Sequence, residues 1–198
     1  MLLGEVTTVV SRSLPESLPE SLVAAKASRV NQQQFLRFFL EPDLTVVLPV
    51  MQLAEVLTIG LGEIVPIPHL PPWVMGVYNW RGEILWMVDL GHLLGLTPWA
   101  QQSSSRFNYR ALILNGAIAF NQKTKGYGGM NSNQMLGLVV SRVEDIEWCN
   151  PDNFQSPPAA SVNSQLIPYL RGFLIKNNGD MVTALDGQAI VSRLKPNV

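Results

Sequence analysis

The chain has 198 residues and a formal net charge of −1, with 15% charged residues against 47% apolar ones. Such a chain collapses, which excludes wholesale disorder, and without a basic surplus it makes a poor nucleic-acid partner. One cysteine, Cys149, excludes an intrachain disulfide framework and a multi-cysteine metal site.

Mean hydropathy is high, at +0.16. No apolar run approaches the roughly 18 residues of a membrane helix. The start, MLLGEVTTVV, has no basic n-region of a signal peptide. A cytoplasmic protein without direct membrane insertion is expected, its charge-poor surface used to bind other proteins.

Residues 1–30 read as a mobile tail. SLPESLPESL, from Ser13 to Leu22, repeats a four-residue unit whose Pro15 and Pro19 interrupt a helix, with a helical turn at Ser21–Ala27. The folded part is expected over 31–198. Phe35 to Leu40 and Thr45 to Leu48 are strand-like around the turn Glu41-Pro42-Asp43. Pro49 starts a short helix with Val50, Leu53, Ala54 and Leu57 on one face. Trp73 to Gly76 is read as one helical turn. Gly76 to Trp80 and Glu83 to Val88 are strands flanking Arg81-Gly82, and Asp89 caps a short helix closed by Gly95. Thr97 to Asn108 is a connection.

Tyr109 to Leu114 is a strand, and Asn115-Gly116 signals a hairpin into Ala117 to Phe120. Residues 121–134 form a long, glycine-bearing loop. Leu136 to Val140, Arg171 to Lys176 and Met181 to Leu185 are strands, the last two joined by the turn Asn177-Asn178-Gly179-Asp180. Asp186 caps a C-terminal helix carrying Ile190, Val191 and Leu194. Short strands with turns every eight to twelve residues indicate small barrels or a sandwich.

Enzymatic signals are sparse. There is no phosphate loop of the G-x-x-x-x-G-K-[ST] kind and no G-x-S-x-G elbow. His69 and His92 stand apart among apolar residues and are assigned packing or surface roles. Cys149 is read as a partly buried, inert thiol. Glu144, Asp145 and Glu147 are read as a solvated acidic turn, although a carboxylate pair could in principle work as acid and base.

The informative segment is VPIPHLPPWVMGVYNWRGEILWMVDLGHLLG, from Val65 to Gly95. Pro66 and Pro68 lead into Gly76-Val77, Asn79, Arg81-Gly82, then Val88-Asp89-Leu90 and Leu94-Gly95. This order resembles the CheW-like domain family of bacterial chemosensory arrays. Leu48-Pro49-Val50 through Glu55-Val56, Leu136 to Val140, Tyr169 to Gly172 and Met181 to Asp186 extend the resemblance over about 32–195. Trp86 stands where the family usually has proline, Ser141 where aspartate is common, and the connection over 116–134 is longer than usual.

The resemblance implies two small five-stranded SH3-like barrels around a shared apolar core, mainly β, with short helices and a C-terminal helix. It implies no catalytic activity and no cofactor. It implies a scaffold at membrane-associated receptor arrays, bridging a transmembrane chemoreceptor signalling tip to the regulatory domain of a CheA-type histidine kinase. The implied pathway is chemotaxis, phototaxis or type IV pilus motility. Arg81, Asn79, Trp80, Leu53, Glu55 and Trp86 are the implied interface, and Gly76, Gly82 and Asp89 the structural motif. Arginine and tryptophan are common hot-spot types, whereas a purely compositional reading makes both tryptophans core and Arg81 a turn residue. Strand alternation is expected to separate the tryptophans from Ile84. A small-molecule-binding barrel or enzyme of unknown substrate is the alternative.

Overall fold

The first strand, β1 (Gln33–Leu40), buries Phe35, Leu36, Phe38 and Leu40. Apolar residues on both faces are what a strand needs when a core lies on each side. In this computed structural model, which describes residues 31–60, 62–102, 108–115, 136–156, 163–176 and 179–193, that arrangement recurs. The further strands are β2 (Leu44–Pro49), β3 (Leu53–Gly60), β4 (Val74–Trp80), β5 (Glu83–Asp89), β6 (Asn108–Leu114), β7 (Leu136–Val140), β8 (Arg142–Cys149), β9 (Leu170–Ile175) and β10 (Met181–Leu185). A short helix α1 (Leu90–Leu93) follows β5, and α2 (Gly187–Arg193) follows β10.

The strands form two five-stranded sheets, β8-β1-β2-β10-β9 and β3-β6-β7-β5-β4. The pairs β10–β2 and β5–β7 are parallel. The halves of the chain follow one plan. A hairpin (β1–β2 or β6–β7) builds one sheet. The chain then crosses to the other sheet for one strand (β3 or β8), a second hairpin (β4–β5 or β9–β10) and a helix. Each sheet therefore takes two strands from one half and three from the other.

Each sheet curls, and the chain beyond one edge strand bridges to the other edge. After β3, Val65 exchanges two backbone hydrogen bonds with Val77 of β4, at 2.8 and 2.9 Å. After β8, Gln155 does the same with Phe173 of β9. At the first closure the backbones approach so nearly that a Cβ on Gly76, at φ +140°, would stand 2.1 Å from the Val65 carbonyl oxygen. This is a physical reason for glycine at that point of the motif.

Three cores result. The shared one takes Phe38 and Leu48 from the first sheet, Leu112 and Leu138 from the second, Leu94 after α1, and Ile190 from α2. Ile59, Leu85, Met87 and Ile113 fill the second sheet's own barrel. Phe35, Val47, Val182 and Ala184 fill the first. A fully buried side chain of this size contributes about 1.5–3 kcal/mol by removal from water.

Three sequence expectations need correction. The helix expected after Pro49 is a single 3-10 turn, Val50–Gln52, and β3 follows at once. Leu53 and Leu57 are four apart, a spacing that suits one helix face and one strand face alike. Trp73 to Gly76 is not a helical turn, because β4 already starts at Val74. The acidic cluster is not a turn but lies in β8, whose pairing with β1 shifts register and so blurs its alternation. The tail 1–30, the strand Ala117 to Phe120, the loop 121–134, Asn177-Asn178 and Leu194 lie outside the described residues.

Cys149 is buried at the end of β8, packed with Phe35 and Val182. Burial pushes its thiol pKa up; Glu147 pushes the same way and Lys176 opposes them. The thiolate is the reactive form, so alkylation of the native protein is expected to run at least about a hundredfold slower than after denaturation. Equal rates would show that β8 opens readily.

Candidate functional site

The β4–β5 hairpin has a two-residue loop. Trp80 pairs with Glu83, leaving Arg81 and Gly82 to turn the chain. Their φ angles are +53° and +85°. Positive φ at both central residues is the type I′ pattern, which matches strand twist and favours Asn-Gly or Gly-Gly. Glycine suits the second position. Arginine at the first is unusual, because its Cβ crowds the backbone there. Asn79 supports the turn from one residue earlier, its Oδ1 accepting the Gly82 N–H at 3.0 Å.

The turn aims the Arg81 side chain across the barrel mouth at β3. Arg81 Nη2 donates to Glu55 Oε2 at 2.9 Å, and the guanidinium carbon stands 4.6 Å from the centre of the Trp80 ring. Side-chain exposure is 69% for Arg81 and 33% for Glu55. The ion pair thus joins the two ends of the sheet order, β3 and the β4–β5 hairpin. An exposed pair of this kind is worth at most about 1 kcal/mol. It orients the guanidinium more than it stabilises the barrel.

Among the residues expected at an interface, the structure brings together Arg81, Glu55, Trp80 and Asn79. Leu53 and Trp86 lie elsewhere, both half-buried against the shared core. Trp80 packs instead against the second barrel's own core. The tryptophans therefore occupy opposite faces of the hairpin. Ile84, two residues before Trp86 on β5, is exposed and shares the face of Trp86, so the expected separation holds for Trp80 and not for Trp86. Sequence reading also missed Glu83, exposed beside the turn. The signal was available, since the residues flanking a two-residue turn are opposed neighbours.

Asp89 sits at the far end of β5 and is buried. Its Oδ1 accepts the His92 N–H at 3.0 Å, capping α1, and its Oδ2 accepts the Trp99 N–H at 2.7 Å. Both carboxylate oxygens are thus engaged by backbone donors. Replacing Asp89 with alanine leaves two donors unpaired, so Asp89→Ala is expected to cost about 2–3 kcal/mol of stability. Asp89→Asn keeps one acceptor and should cost less. Urea midpoints of the two variants check the ordering.

The other chemistry-bearing residues are accounted for by structure. Glu144 pairs with Arg37 at 2.8 Å and Arg142 at 3.0 Å, and Glu147 with Lys176 at 2.7 Å. His69 is exposed in the loop before β4, and His92 is half-buried in α1. Among the described residues, no three His, Cys, Asp or Glu side chains are grouped to hold a metal ion. No helix among them is long and apolar enough to cross a membrane.

The family model of the CheW-like domain matches residues 34–195, which includes both helices and, but for Gln33, both sheets. The chain belongs to the CheW-like domain family. The fold is also that of the scaffolding protein TtCheW from Thermoanaerobacter tengcongensis. That crystal structure superposes with a TM-score of 0.57 at 19% identity, over 78% of this chain and 88% of that one. A comparison with curated proteins finds no match.

Two departures from the CheW-like pattern find their place in the fold. Trp86, where proline is usual, is an interior residue of β5, paired with Val77 on one side and Leu136 on the other. Ser141, where aspartate is common, is buried between β7 and β8, and its Oγ accepts the Glu41 N–H at 3.2 Å. The serine thus receives a backbone donor from the turn after β1.

Proposed function

We propose that the protein is a non-catalytic signalling scaffold, coupling a transmembrane chemoreceptor tip to the regulatory domain of a CheA-type histidine kinase. It acts in the cytoplasm at membrane-associated arrays, in a chemotaxis, phototaxis or type IV pilus pathway. Membership of a family of scaffolds supports the class of function. The single observation that supports the contact surface is the exposed Arg81, held in a left-handed turn between Glu55 and Trp80. Strain at a surface residue is retained where function needs the side chain. The arginine-on-tryptophan pair has the chemistry of an interface hot spot.

The test is capture of the kinase regulatory domain and of a receptor-tip helical hairpin by the purified chain, beside a thermal-shift screen of small molecules. Binding of both proteins is the expected result. Binding of neither, together with a small molecule that raises the melting temperature, would replace the scaffold with a ligand-binding barrel.

A further inference from the structure

We propose that Glu55 sets the class of partner group that Arg81 accepts: an uncharged acceptor, such as the backbone carbonyls at the tip of a helical hairpin, in preference to a carboxylate. The inference rests on the scaffold reading and specifies which chemistry of the tip is read.

The reason is the charge around the guanidinium. Arg81 is the most exposed cation of this turn, yet it is already countered by Glu55 at 2.9 Å. Glu83 lies exposed on the other side of the turn, paired across the hairpin with Trp80. Arg81, Glu55 and Glu83 together therefore carry one more negative than positive charge. The one cation of the neighbouring strand β6, Arg110, bonds the Thr58 hydroxyl. Thr58 is three positions along β3 from Glu55, about 10 Å, a separation largely screened at physiological salt.

An incoming carboxylate must come close to Glu55 to reach the guanidinium and is repelled there. A carbonyl oxygen meets no such repulsion. It can take one of the guanidinium N–H groups that Glu55 leaves, since arginine carries five. The N–H donors lie in the plane of the guanidinium, which stands over the Trp80 ring, so a hydrogen-bond acceptor approaches along the edge that Glu55 leaves free. Glu55 acts through Arg81 and is a positioning residue.

The experiment titrates the full chain with a receptor-tip helical hairpin in two forms, native and with its solvent-facing Glu and Asp changed to Gln and Asn. The wild-type chain should bind both forms within about threefold, with little change between low and high salt. Glu55→Gln unmasks the cation, so it should prefer the native, acidic tip by about tenfold at low salt and lose that preference at high salt. A wild-type chain that already prefers the acidic tip by such a factor overturns the proposal. So does a Glu55→Gln chain that folds but shows no new preference. Should Glu55→Gln fail to fold, the wild-type comparison of the two tips still decides. A wild-type chain that binds neither tip fails the scaffold reading itself, and the inference with it.

Discussion

Replacing Arg81 with asparagine is expected to leave the melting temperature within a few degrees of wild type while weakening receptor-tip binding about thirtyfold, or about 2 kcal/mol. The two effects separate because the turn and the contact ask for different residues. At φ +53° an asparagine is better tolerated than an arginine, which returns some strain energy. Against that, the exposed ion pair with Glu55 and the stacking on Trp80 are lost, each worth up to about 1 kcal/mol at an exposed site. The terms nearly cancel in stability and leave only the loss of binding. Arg81→Ala keeps the strain and loses both contacts, so it should be less stable by about 1 kcal/mol and melt slightly lower. Arg81→Lys keeps the charge without the planar fork and should restore binding only in part. Thermal melts beside tip titrations measure all four chains. If the asparagine variant binds as wild type does, Arg81 is a turn residue and the assigned contact is wrong.

The largest loss of stability is expected at Gly76. A methyl group there would overlap the Val65 carbonyl at a positive φ, so relief requires the closing bridge between Val65 and Val77 to break. Gly76→Ala should cost about 3 kcal/mol or more, lowering the melting temperature by roughly 10 °C. Gly82→Ala is the control. Gly82 also has positive φ, but a Cβ there meets nothing within 4 Å. Only the backbone preference is lost, about 1 kcal/mol. Equal losses at the two glycines would show that backbone conformation, and not the closure, explains Gly76.

The hairpin around Arg81-Gly82 was legible because its signals are local: two apolar runs, a two-residue turn and a capping aspartate seven residues beyond Gly82. The strands that pair far along the chain were legible where apolar residues dominate both faces, as in Leu136 to Val140 and Tyr109 to Leu114. The β8 strand was not, because Glu144 and Glu147 belong to ion pairs whose partners, Arg37 in β1 and Lys176 just after β9, lie far along the chain. Charges satisfied by distant residues look like solvated charges in a sequence. The pairing of Arg81 with Glu55 was hidden for the same reason. Each was marked by the family motif, but only the curl of the sheet brings β3 to the hairpin turn. Leu53 and Trp86 carry the opposite lesson, since residues near a motif can serve the core behind it.

The exchange of strands between the halves has a consequence for how the chain is made. The second sheet, β3 to β7, can be completed once Val140 has left the ribosome. The first sheet cannot, because Val46 of β2 waits for Thr183 of β10 as its parallel partner. At usual synthesis rates that wait is on the order of ten seconds. Until β8 reaches β1 the β1–β2 hairpin, with Phe35, Phe38 and Leu48, has no partner strand, and its β2 edge stays open until β10. The nascent chain therefore presents an apolar, β-forming surface for far longer than a hairpin takes to form, and its early strands are natural clients for a chaperone until the last hairpin arrives.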